Sequence, residues 1–219
     1  MTAVLNPSYR QRIGYQAGLL GGFAMVAAAL LTMGNIATHE AIAERHAEDL
    51  RASLTQVIPA DLHNNDLLAA TLELTGPDGT PRTVYRALQG LEVQAVAFRV
   101  SEPGYSGPIE LMLGLDASGR ILGVRVLSHT ETPGLGDKIE VARDDWILAF
   151  NGLTLGDPPP ERWAVKKDGG DFDQFSGATI TPRAVVKAIS GGLQWFADQR
   201  AALTTSAVIQ QEQPHGNSN

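Results

Sequence analysis

The stretch Ile109-Glu-Leu-Met-Leu-Gly-Leu-Asp-Ala-Ser-Gly-Arg-Ile-Leu-Gly-Val-Arg-Val-Leu127 decides the fold class. Ile109, Leu111, Leu113 and Leu115 alternate with other residues, so an extended chain puts all four on one face. After Asp116-Ala117-Ser118-Gly119, a second alternating run places Leu122, Val124 and Val126 together, with Arg125 between them. Two such runs joined by a short Asp/Gly-containing link predict a hairpin of half-buried antiparallel strands over 109–115 and 121–127. Outward from it, 69–75, 84–88 and 93–100 also suit strands. The first two are separated by the turn-forming Gly76-Pro77-Asp78-Gly79. Toward the C-terminus, Val185, Ile189, Leu193 and Phe196 recur at helical spacing, which predicts a helix from Pro182 to about Gln199. The body is therefore expected to be α+β, an antiparallel sheet with flanking helices.

The N-terminal part obeys different physics. No charged residue occurs from Ile13 to Thr38. As a helix this segment would be about 39 Å long, enough to cross a hydrocarbon core of about 30 Å with some tilt. A cleaved signal peptide is the alternative, with Arg10 and Arg12 as its basic flank and Ala41-Ile42-Ala43 as a cleavage-like site. The uncharged run is longer than a usual signal core, which favours an uncleaved anchor. Residues 39–57, with Glu40, Glu44, Arg45 and Glu48 among apolar positions, read as a linker helix stopped by Pro59. The basic flank favours residues 1–12 on the cytoplasmic side and the body outside. Residues 204–219 read as a polar, disordered tail.

Composition narrows the chemistry. The chain has 219 residues, a formal charge of −7 and no cysteine. The net charge and the lack of Lys/Arg-rich runs argue against nucleic-acid binding. Without cysteine there is no disulfide, thiolate metal site, Cys-ligated iron–sulfur cluster or thiol nucleophile, so redox chemistry would need an organic cofactor. No paired carboxylates or metal-ligand cluster stand out, and no catalytic residue is assigned. His129 reads as structural or solvent-exposed.

The segment richest in chemistry is Asp171-Phe-Asp-Gln-Phe-Ser-Gly-Ala-Thr-Ile-Thr-Pro182. Thr181 suits an N-cap and Pro182 the first helical position. A helix start offers free N–H groups and a positive dipole end, both favourable to phosphate. Gly177 and Ala178 leave room for a ligand, and Thr179 presents a hydroxyl beside it. An ordinary capped helix after a glycine turn fits the same residues. Ser176 lacks the G-x-S-x-G turn of a serine hydrolase, and no G-K-[ST] marks a Walker loop.

Four stretches together carry a resemblance. Ser176-Gly177-Ala178-Thr179, with Asp173 upstream, resembles the flavinylation signature of FMN-binding domains. Glu131-Thr132-Pro133-Gly134-Leu135-Gly136 resembles their E-T-P-G-L-G loop, and Gly104-Tyr105-Ser106-Gly107 their domain start. Trp163 to Gly170 is similar to the strand and turn leading into the signature. The wider likeness, over about 104–195, is to the G subunit of the Rnf (Rsx) electron-transport complex. The C subunit of the sodium-pumping NADH:quinone oxidoreductase is a relative.

The resemblance implies one FMN per chain, phosphoester-linked to Thr179 and installed by a flavin transferase that recognises Asp173, Ser176, Gly177 and Ala178. It implies cofactor contacts from Glu131, Thr132, Gly134, Leu135 and Gly136, an FMN-binding domain over 104–200, and an α+β part over 58–103 before it. Lys166 or Lys167 could offset the phosphate charge, although surface lysines are commonly just solvated. The implied function is electron transfer within an ion-translocating ferredoxin:NAD oxidoreductase. The implied location is the bacterial inner membrane, single-pass, with the body in the periplasm among membrane and peripheral partner subunits. A non-redox assembly subunit with a vacant flavin site, or a stand-alone exported flavin reductase, are the competing expectations.

Overall fold

The computed structural model describes residues 13–205. The predicted N-terminal segment 1–12 and nearly all of the predicted tail lie outside the described residues. Two units are distinguished, one up to Asp49 and one from Leu50 onward. The first is helix. Helix α1 runs Ile13–Val57 without interruption, and its Ile13–Asn35 part is long and apolar enough to cross a membrane, with no residue buried by protein. Residues 39–57, read as a linker helix, belong to α1.

The second unit holds a five-stranded antiparallel meander. Strands β1 (Thr71–Thr75), β2 (Pro81–Gln89), β3 (Glu92–Pro103), β4 (Pro108–Asp116) and β5 (Ile121–Ser128) lie in the sheet in chain order. Helix α2 (Ile180–Thr204) packs across β3 and β4. Val185, Ile189, Leu193 and Phe196 of α2 meet Phe98, Val100, Leu111, Leu113 and Leu115 in the main core. Gly192 permits the close approach, since a Cβ there would lie 2.8 Å from Leu113. Trp195 sits edge-on to Phe98 at 4.8 Å, and its indole N–H donates to Thr75 O at 3.0 Å. Each fully buried aliphatic side chain in this layer contributes about 1.5–3 kcal/mol.

Alternation predicts half-buried strands at 109–115 and 121–127, and the structure corrects this. The opposite face carries a second core, in which Met112, Ala95, Ala97 and Tyr85 pack with Leu54, Val57 and Ile58. The last turn of α1 reaches the sheet there because Gly114 and Gly123 have no side chains; a Cβ on Gly114 would stand 2.4 Å from Val57 O. Leu122 is a second correction. Leu113 pairs with Val124 and Leu115 with Ile121, so Leu122 is the extra residue of a bulge. Ile121 therefore joins Val124 in the main core, and Leu122 packs with the second.

The β4–β5 turn is closed by Asp116. Its Oδ1 accepts hydrogen bonds from the Ser118 N–H at 2.8 Å, the Arg120 N–H at 3.0 Å and the Ser118 hydroxyl at 2.6 Å. Partial burial works against the carboxylate charge, but these donors outweigh it and hold the group below the usual carboxylate range. A folded pKa below the unfolded one stabilises the fold at neutral pH and loses that contribution as acid protonates the folded carboxylate. Asp116→Ala should cost about 1 kcal/mol at neutral pH. The gap in melting temperature between the two chains should narrow as the pH falls below about 4. Thermal melts across pH check this, and a gap that stays constant into acid would refute the assignment.

Candidate functional site

The site grows from two turns held on an aromatic base. Phe150 stacks on both Trp163 and Phe172, which tilt against each other, and Trp146 contacts Phe150 and Phe175 edge-on. The Trp146 indole N–H donates to Asp173 O at 2.9 Å and that of Trp163 to Pro158 O at 3.0 Å. Segment 171–175 is thereby anchored before the chain turns. In the turn itself the Ala178 N–H donates to Phe175 O at 3.1 Å. Gly177 takes φ +83°, the left-handed region that a side chain disfavours.

Helix α2 follows at once. The structure moves its start from Pro182 to Ile180, with Thr179 flanking it, and carries its end to Thr204. The expected N-cap at Thr181 is thus corrected. Thr181 is fully buried inside the first turn, and its hydroxyl donates to Oε2 of Glu131. Pro182 is accepted there because an N–H in the first helical turn has no intrahelical partner to lose. Thr179 makes no capping hydrogen bond through its side chain. Of the two hydroxyls at this helix start, one is committed to a buried carboxylate and the other is open.

The second turn is the loop after β5. The N–H groups of Leu135 and Gly136 both donate to Thr132 O, at 3.1 and 2.9 Å. Gly136 is confined between Glu131 and Thr181; a Cβ would meet Glu131 Cβ at 2.9 Å and Thr181 Oγ1 at 3.0 Å. Glu131 is buried, and its Oε1 accepts the Ser106 N–H at 3.0 Å. The Glu131 N–H donates to Nδ1 of His129 at 3.0 Å, which leaves the His129 Nε2–H to donate to Glu140 Oε1 at 2.6 Å. His129 is thus a bonded, part-buried residue behind the loop.

Between these turns lies a cavity of about 550 Å³, within the usual range for cofactor pockets. Of the residues named from sequence, Thr179, Gly177, Ala178, Glu131, Thr132, Leu135 and Gly136 line it. Gly134, at φ +77°, and Ser176 are not among the lining residues; each belongs to one of the two flanking turns. Asp173 does not line it either. Its exposed carboxylate pairs with Lys166 Nζ at 2.6 Å. The sequence pattern assigns Tyr105 no role and leaves Lys167 undecided; both line the cavity, as do Ile180 and Thr181. Near the helix start, Arg183 chelates Asp168 and holds its carboxyl below the usual range, chiefly by hydrogen bonding. With Arg183 so engaged, Lys167 is the basic side chain in the cavity wall.

The segments that build this site lie within a stretch similar to known proteins. Residues 104–194 match the sequence model of the FMN-binding domain family. The G subunit of the ion-translocating oxidoreductase complex of Stutzerimonas stutzeri is 49% identical over 198 residues, covering 90% of this chain and 87% of its own length. The protein of the same description from Cereibacter sphaeroides is 54% identical over 185 residues, covering 84% of each. The crystal structure of Shewanella oneidensis NqrC is 23% identical, covers 67% of this chain and 77% of its own, and has a TM-score of 0.46. On the strength of the identities to the first two, over most of both chains, this protein belongs to the family of G subunits of ion-translocating oxidoreductase complexes.

Proposed function

We propose that this chain carries one FMN joined through its phosphate to the hydroxyl of Thr179, and that it is the electron-carrying G subunit of a membrane-bound, ion-translocating ferredoxin:NAD oxidoreductase. The observation behind this reading is the state of that hydroxyl. It lines the cavity and makes no capping bond, while Thr181 two residues on is buried and committed.

The residues present fit the group. The cavity is of cofactor size, and Gly177 and Ala178 keep bulk away from Thr179. Pro182 has no N–H, so Ile180 and Thr181 offer the orphan backbone donors of the first turn toward a phosphate. Lys167 supplies a positive charge in the wall. Tyr105, Leu135 and Ile180 give an apolar surface suited to a flat ring, and Thr132 a hydroxyl for a ring carbonyl. FMN, when bound, supplies electron transfer; the chain fixes its position and restricts water around it. No residue here is asked to bind or transform a second substrate, which fits a relay.

The apolar Ile13–Asn35 helix supports a single membrane anchor. The basic residues at 10 and 12 support placing the body outside the cytoplasmic membrane, where a covalent link prevents loss of cofactor. The partners are then the other subunits of the complex, the lipid around the span, and a flavin transferase during maturation, for which exposed Asp173 and Ser176 are accessible. Intact mass of the full chain, purified from cells that hold the transferase, tests the reading. The expected gain is the mass of one FMN less one water, localised by peptide fragmentation to Thr179. An unmodified chain would refute it.

A further inference from the structure

Three of the chain segments that form the cavity wall are separate in sequence, yet one side chain joins them. Glu131 Oε1 accepts the Ser106 N–H at 3.0 Å, and Oε2 accepts the Thr181 hydroxyl. Its own N–H is held by His129, which Glu140 orients at 2.6 Å. Segment 104–107 reaches the carboxylate only because Gly104 lacks a side chain; a Cβ there would lie 2.5 Å from Oε1. Gly136 is constrained by the same residue from the other side. Glu131 is also 4% exposed, and each of its oxygens accepts a hydrogen bond from the protein.

We propose that Glu131 is a positioning residue, not a ligand of the cofactor. Its carboxylate locks the first turn of α2, through Thr181, to the loops bearing Tyr105 and Thr132–Gly136, and so sets where the Thr179 hydroxyl stands relative to the ring-binding wall. The inference rests on attachment at Thr179. A buried carboxylate satisfied by two donors is strongly directional, and removing it leaves both donors unpaired. The consequence falls on two properties at once: the fraction of chains that acquire flavin, and the asymmetry the wall imposes on the ring.

The experiment compares full-length wild type, Glu131→Ala, Glu131→Gln and Thr181→Val made in cells with the transferase. Flavin per chain is read after denaturation, visible circular dichroism on the folded protein, and melting temperature on the same samples. Gln can accept from Ser106 with its carbonyl and donate to Thr181 with its amide, the hydroxyl rotating to accept. Glu131→Ala should lower flavin per chain on the order of tenfold and weaken the visible dichroism, since misplacing a reacting group by about an ångström can slow its reaction by up to about a hundredfold. Glu131→Gln should restore both, and Thr181→Val should fall between. A folded Glu131→Ala chain with wild-type flavin content and dichroism would overturn the proposal. If Glu131→Ala does not fold, Thr181→Val decides: unchanged occupancy and dichroism overturn it, and loss of both supports it. Wild type without covalent flavin would instead overturn the attachment reading itself.

Discussion

Thr179→Val is expected to yield a colourless chain after acid precipitation, with the fold intact. Valine matches threonine in shape but has no oxygen to esterify. The hydroxyl it replaces makes no capping bond and sits half-exposed at a cavity wall, so its loss should change stability by less than about 0.5 kcal/mol. The proper reference is wild-type chain made without the transferase, because bound cofactor would itself stabilise. Thr181→Val makes the contrast. It removes the donor to a buried carboxylate and should cost about 1–3 kcal/mol, with the Thr179 oxygen still available. Denatured-band flavin fluorescence and thermal melts on both variants separate chemistry from scaffolding. Flavin retained by Thr179→Val, mapped to Thr181, would reverse the assignment.

The second large effect is structural. At Gly170 an added Cβ would lie 1.9 Å from Ala164 O and 2.2 Å from its carbonyl carbon, both backbone atoms. No rotamer change relieves such a clash, so segment 162–172 must open. That segment is a dense set of main-chain bonds: Phe172 N–H to Ala164 O, Lys166 N–H to Phe172 O and Asp171 N–H to Arg162 O. It delivers Trp163, Val165 and Phe172 to the core and places the turn that leads to Thr179. Gly170→Ala should therefore cost about 3 kcal/mol or more, at the upper end of overpacking penalties. For a body of this size that lowers the melting temperature by roughly 6–12 °C. Cofactor content should fall as well, since the aromatic base supports the attachment turn. A Gly170→Ala chain melting with wild type would show that the loop yields despite its main-chain bonds.

Much of this was readable in the residues, for identifiable reasons. Alternation at 109–115 and the Asp116–Gly119 link are local signals, and the hairpin forms as they predict. Helical spacing from Val185 to Phe196 is likewise local, and those residues face the sheet. What was not readable depends on distant partners. The bulge at Leu122 is a matter of register against β4, which no single strand encodes. The second core draws on Met112, Ala95 and Ala97, whose neighbours come from the end of α1. Thr181-Pro182 has the form of an N-cap and first turn, but Glu131, fifty residues earlier, claims the hydroxyl. Tyr105 and Lys167 become wall residues only through the packing that folds their segments together.

The sheet's order suits a chain made from its N-terminus. Because each strand pairs with the one just synthesised, the meander can zip progressively as the chain emerges, with short loops to close at every step. The cavity cannot follow that schedule. Its wall needs residue 105, residues 131–136 and the start of the final helix, so it exists only after α2 has docked across β3 and β4. Under the proposed attachment at Thr179, a flavin seated in that cavity would serve as a stamp of completed folding.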